Sequence, residues 1–95
     1  MLLSKIRISG HSMEPFLKDN DMVLASGIFY RFINPSINDI VCFKFNNKIL
    51  IKRITKIQNN KYFVKGDNSK DSLDSDEFGL IKKENILGKV FYKLT

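Results

Sequence analysis

Residues 40–65 read IVCFKFNNKILIKRITKIQNNKYFVK, three apolar-rich runs separated by two asparagine pairs. The runs Ile40 to Phe45, Lys48 to Ile57 and Tyr62 to Lys65 have strand lengths and are rich in β-branched and aromatic residues. Asn46-Asn47 and Asn59-Asn60 separate them, and asparagine tolerates the positive φ that two-residue hairpin turns require. Three antiparallel strands in succession are expected here, and with them an all-β domain.

Outward from this segment, Lys5-Ile6-Arg7-Ile8-Ser9 alternates as a half-buried strand, and Asp21 to Ala25 reads as a second, more buried one. Ile86 to Leu94 closes the chain as a strand with Gly88 as a bulge or kink. Gly27 to Pro35, GIFYRFINP, reads as a loop or edge strand carrying apolar side chains outward as a binding lip, with an aromatic core strand as the competing reading. No repeat, linker or low-complexity tract interrupts the pattern. The expectation is a single domain over residues 1–95, built on a small bent antiparallel sheet or partial barrel.

Composition supports one modest core: 95 residues, 43% hydrophobic, with eight phenylalanines. The formal net charge of +6 favours anionic partners only if it is gathered on one face, and the basic residues are scattered from Lys5 to Lys93. Asp67, Asp71, Asp74, Asp76 and Glu77 instead crowd into one acidic segment. The lone Cys42 excludes an internal disulfide and a paired-cysteine metal site; it reads as a buried structural thiol in a reducing, cytoplasmic setting. The start MLLSKIRIS is too short for a membrane span and lacks the long apolar region of a signal peptide, so a soluble chain with at most peripheral membrane contact is expected. No metal or cofactor is expected.

The chemistry centres on Ser9 to Leu17, SGHSMEPFL, where Ser12 follows the only histidine, His11. A serine nucleophile needs a base within hydrogen-bond reach. Neighbouring side chains in extended backbone point to opposite faces, which argues against His11 in that role. Lys52 is the alternative. Alternation along Lys48 to Ile54 puts it on the face of Leu50 and Ile54, where apolar surroundings disfavour its ammonium form. Read alone, the same segment also fits a lysine snorkelling from a surface strand. The loop GDNSKDSLDSDEFG reads alone as a solvated acidic turn, without the glycine spacing of a calcium loop.

Taken in order, GHSMEPFL, DNDMVL, ILIKRI, KGDNSKDSLDSDEFGLI and ENILGKV closely resemble the boxes of bacterial type I signal peptidases and their Ser-Lys relatives, over nearly the whole chain. The resemblance implies the signal peptidase I/LexA catalytic-core fold, with Ser12 as nucleophile and Lys52 as general base. It further implies Ser72 as the hydroxyl that orients the lysine and Asp74 as the carboxylate that braces the loop. The Ser12 N–H would supply one oxyanion donor. The position of the family's second, hydroxyl donor is Gly10, so a backbone donor or water must substitute. Other departures are Asn20 for a glycine, Asp76 where an arginine is expected, which would leave Asp74 to find another partner such as Arg53, and Lys82 for a proline. Pocket walls for substrate are expected from Ile8, Met13, Met22, Phe29 and Tyr30. Among minimal soluble relatives the chain is most similar to the maturation proteases of nickel-type superoxide dismutase, which remove a leader from a protein substrate; the nickel would belong to that substrate. A general signal peptidase-like protease and a LexA-type self-cleaving module are the nearest alternatives. A basic β-domain binding nucleic acid through Tyr30 and Phe32 is a third, and no nucleic acid is expected as partner on the leading reading.

Overall fold

The computed structural model describes residues 1–68, 70 and 80–95. Its elements are β1 (Ser4–Arg7), β2 (Met22–Ser26), a one-turn helix α1 (Phe29–Phe32), β3 (Ile40–Phe45), β4 (Lys48–Gln58), β5 (Lys61–Lys65), β6 (Ile81–Lys82), a 3₁₀ turn (Lys83–Asn85) and β7 (Ile86–Lys93). Among the described residues the strands form one antiparallel, unclosed sheet in the order β1-β2-β7-β3-β4-β5-β6. The expected all-β class and bent sheet are therefore present.

Both asparagine hairpins form as the sequence implies. Asn46 and Asn47 take φ of 48° and 63°, and Asn59 and Asn60 take 51° and 61°, which suits the right-handed twist of the strands they join. The first turn sets the β3–β4 register, in which Val41 faces Lys52 and Ile40 faces Arg53. The second sets β4–β5, where Thr55 is an extra residue between the Ile54–Val64 and Lys56–Phe63 pairs. That bulge bends the longest strand in the sheet.

Two apolar clusters hold the sheet. Val41, Phe43, Ile54, Tyr62, Val64 and Ile81 form one. Ile8, Met13, Leu17, Val23 and Ile40 form the other. Strand β3 supplies Val41 and Phe43 to the first and Ile40 to the second, as the alternation of side chains across a strand requires. It is buried on both faces and forms the spine of the domain.

The segment Gly27 to Pro35 corrects the expectation of a loop or edge strand. Ser26 Oγ accepts the Ile28 N–H at 3.1 Å, and backbone bonds from Tyr30 to Gly27, Arg31 to Ile28 and Ile33 to Phe29 close a helical turn. A hydroxyl that satisfies an otherwise orphaned N–H favours the turn over a strand ladder. Only part of the aromatic lip exists: Phe32 is 84% exposed, whereas Tyr30 packs on the first cluster and Phe29 lies against Phe91 with ring centroids 5.3 Å apart.

Gly88 is expected at a bulge, and the extra residue in β7 is its neighbour Leu87, between the Cys42–Gly88 and Phe43–Ile86 pairs. A Cβ on Gly88 would lie 2.8 Å from both the carbonyl carbon and oxygen of Ser26, a backbone approach closer than real Cβ atoms make. Gly88→Ala is therefore expected to lose about 2 kcal/mol of stability through the forced separation of β2 and β7. Urea unfolding with an unchanged slope and a lowered midpoint would show this; a wild-type midpoint would contradict it.

Candidate active site

The loop that carries Ser12 is tied at its base and anchored in the core. Ile8 N–H donates to Asp21 O at 2.7 Å, and Asn20 N–H donates to Ile8 O at 2.8 Å. Asn20 takes φ of 72° there, so asparagine fills a role that glycine otherwise takes. Met13 and Leu17 are buried, each contributing on the order of 1.5–3 kcal/mol by area, and the Leu17 N–H closes a helical turn onto Met13 O at 2.9 Å. The Glu14–Pro15 peptide is cis.

Lys52 lies on β4 between Leu50 and fully buried Ile54, and is itself only 5% exposed. The face assigned by alternation is thus the face it occupies, and the snorkelling reading does not hold. A cavity of about 410 Å³ is lined by Ser12 and Lys52 together, with Ile6, Ile8, Met13, Leu50 and Ile51 among its apolar walls. Two residues far apart in sequence thus meet at one mostly apolar hollow.

His11 turns elsewhere. Its Nδ1 lies 2.5 Å from Glu14 Oε2, its side chain is largely exposed, and it does not line the cavity. The Gly10 N–H, at φ of 90°, donates to Asp19 Oδ1 at 2.7 Å. That bond directs the Gly10 N–H to a side chain of its own loop.

The GDN segment folds back beside Ser12. Arg53 Nε and Nη2 donate to the two carboxylate oxygens of Asp67 at 2.8 and 2.9 Å, a planar fork matched to a carboxylate. Arg53 Nη1 donates to Asn38 O at 3.0 Å, and the guanidinium lies 5.4 Å from the centre of the Phe16 ring. Asp67, next to the strand, is thus a partner of Arg53. Asn68 then reaches the Ser12 loop, its backbone N–H donating to Ser12 O at 2.8 Å. Ser72, Asp74 and Asp76 lie outside the described residues.

Of the residues expected to contact substrate, Ile8 and Met13 line the cavity; Met22, Phe29 and Tyr30 do not. Met22 lies in β2 opposite Arg7. The Tyr30 hydroxyl donates to Asp39 Oδ2 at 2.8 Å, and burial together with that neighbouring carboxylate holds the phenol protonated far above its ordinary range. Sequence reasoning missed Asp67, Asp19 and Asn68 as organisers of the site; the available signal was the GDN triplet for Asp67 and Asn68 and the Asp19-Asn20-Asp21 run for Asp19. Among the described residues no group of three or more His, Cys, Asp or Glu side chains is placed to hold a metal. No described helix is long and apolar enough to cross a membrane.

The nearly all-β, unclosed antiparallel sheet is consistent with an S24/LexA-type catalytic core. A family model described as Peptidase S24-like matches residues 4–91, and the chain belongs to that family of serine peptidases. It is also 40% identical over 73 residues to Signal peptidase I of Buchnera aphidicola subsp. Schizaphis graminum (strain Sg), an alignment that covers 77% of this chain and 20% of that protein. The chain thus spans about a fifth of the length of this curated relative.

The foot of the Ser12 loop gives a pH dependence. The Lys18 N–H bond, at 2.9 Å, and the Lys93 ammonium hold the Asp21 carboxyl below its ordinary value of 3.8 against an opposing effect of desolvation. A carboxyl whose pKa is lower folded than unfolded contributes stability above the unfolded value, and that contribution is lost as pH falls through the folded one. Asp21→Asn is expected to flatten the decline of stability below about pH 4. Melting curves with the wild-type acid dependence in the variant would refute this.

Proposed function

We propose that the protein is a serine endopeptidase in which Ser12 is the nucleophile and Lys52 the general base. The observation that carries this reading is the shared cavity, where a serine on a rigidly anchored loop meets a lysine that is only 5% exposed. Desolvation disfavours the ammonium, and a neutral amine is what a base must be.

In the proposed reaction Lys52 Nζ takes the Ser12 hydroxyl proton as Oγ bonds to the scissile carbonyl carbon. The carbonyl electron pair moves to oxygen, and the resulting oxyanion is met by the Ser12 N–H. On collapse the C–N bond breaks, and the leaving amine takes the proton from the Lys52 ammonium. The regenerated amine then draws a proton from water as the water oxygen bonds to the ester carbon; on collapse the bond to Ser12 Oγ breaks, Oγ takes that proton back from the Lys52 ammonium, and the acid product is released. Ser72 is proposed to orient the lysine and Asp74 to brace the loop, both on the resemblance of the GDN box alone. With the Gly10 N–H committed to Asp19, the Ser12 N–H is the principal backbone donor.

The apolar walls suit an extended peptide with small aliphatic side chains near the cut. The substrate we infer is the leader of a precursor protein, and specifically of a nickel-type superoxide dismutase in the cytoplasm; the similarity of the sequence boxes to minimal Ser-Lys proteases supports it.

Ser12→Ala and Lys52→Ala are each expected to lower leader cleavage by at least about a thousandfold with circular dichroism unchanged. Wild-type cleavage is expected to rise with pH as Lys52 loses its proton. Retained cleavage in either variant, or a chemistry-limited rate that is flat from about pH 5 to 9, would overturn the assignment.

A further inference from the structure

Asn68 grips both carbonyls that flank the Ser12 N–H. Its backbone N–H donates to Ser12 O at 2.8 Å, and its side-chain Nδ2 donates to His11 O at 3.1 Å. The His11 carbonyl and the Ser12 N–H belong to one peptide unit. In a planar trans peptide these two groups point in opposite directions, so whatever fixes the carbonyl aims the N–H. The same carbonyl also accepts the Glu14 N–H at 3.1 Å. Two donors on a carbonyl oxygen withdraw electron density through the amide and polarise its N–H, in the manner of any hydrogen-bonded chain. Among the described residues the Ser12 N–H itself has no acceptor, leaving it available to a ligand.

Asn68 is held in turn from both sides. Its Oδ1 accepts the Lys70 N–H at 3.2 Å, which leaves Nδ2 directed at His11. The preceding Asp67 is fixed by the Arg53 fork. A rigid path therefore runs from β4, the strand of Lys52, to the peptide that precedes Ser12.

We propose that Asn68 is the positioning residue of the oxyanion hole, setting the direction and polarity of the Ser12 N–H without touching substrate. This rests on the reading of Ser12 as nucleophile. Asn68 acts on the peptide through its amide donor, so an isosteric residue without that donor, aspartate, fails as fully as alanine.

The test compares wild-type protein with Asn68→Asp and Asn68→Ala on a cleavable leader peptide, with a peptide aldehyde that forms a tetrahedral adduct with Ser12 as the probe. Loss of a donor itself costs about a hundredfold or more, so a positioning loss of roughly tenfold in kcat is expected, with KM changed less than about twofold. Aldehyde affinity is expected to fall by the same factor while product-peptide affinity stays constant. Variants that fold and keep wild-type kcat would overturn the proposal. So would losses in KM and product affinity that merely follow a lowered melting temperature. Two spectroscopic readouts need no activity. Wild-type protein is expected to show a through-hydrogen-bond coupling from the Asn68 side-chain amide nitrogen to the His11 carbonyl carbon, and the Ser12 amide proton is expected to move upfield in both variants. Absence of either overturns the positioning role even if the variants are poorly folded. A Ser12→Ala variant that cleaves normally would instead defeat the reading of Ser12 while leaving the wild-type amide measurements intact.

Discussion

Arg53 holds Asp67 by two parallel hydrogen bonds, donates from Nη1 to Asn38 O, and covers the Phe16 ring. It follows Lys52 on β4, so the same alternation that turns the lysine into the cavity turns the arginine to the other face. One strand thereby does two things: it presents a buried amine, and it fastens the returning chain at Asp67 next to the serine loop. Phe16 belongs to that loop, so the guanidinium is in contact with both chain segments that must meet. Lysine in place of Arg53 would keep the charge and lose the fork, which is why the pairing depends on arginine's shape as much as on its sign.

Much of this arrangement was legible in the sequence because it rests on short-range rules. The asparagine pairs at 46–47 and 59–60 require positive φ at adjacent residues, and the hairpins follow. Lys52 between Leu50 and Ile54 requires only a side-chain period of two, once β4 is recognised as a strand. What escaped depends on choices between near-equal partners. That Arg53 meets Asp67 depends on how the chain returns after β5, and the acidic stretch from Asp67 to Glu77 offers several carboxylates without ranking them. At the turn over Phe29–Phe32 the Ser26 hydroxyl takes the Ile28 N–H, against the strand propensity of Ile28, Phe29, Tyr30 and Phe32. The bulge at Thr55 carries no glycine to announce it. Two of the five expected pocket residues, Ile8 and Met13, reach the cavity because they flank Ser12; Phe29 and Tyr30 were placed by hydrophobicity alone, which does not distinguish a lip from a core.

The charge of +6 shows a similar economy. Several basic side chains have local partners: Lys89 lies 3.7 Å from Asp39, Lys93 lies 3.4 Å from Asp21, and Arg53 engages Asp67. Exposed pairs of the first two kinds contribute little individually. Their place is informative nonetheless, since Asp21 closes the foot of the Ser12 loop and Asp39 receives the Tyr30 hydroxyl. Ile6, Ile8, Met13, Leu50 and Ile51 are among the walls of the cavity that Ser12 and Lys52 line, and apolar surroundings disfavour the charged form of a lysine.

The central claim is that Lys52 is neutral where it meets Ser12, and direct titration of its side-chain amine tests it. With lysine labelled at Nζ and its neighbouring carbon, and Lys52 assigned by comparison with Lys52→Ala, its resonance can be followed across pH beside those of the exposed lysines. The expected result is a midpoint well below the ordinary lysine value of about 10.4. A Lys52 that titrates with the exposed lysines would contradict the role of general base.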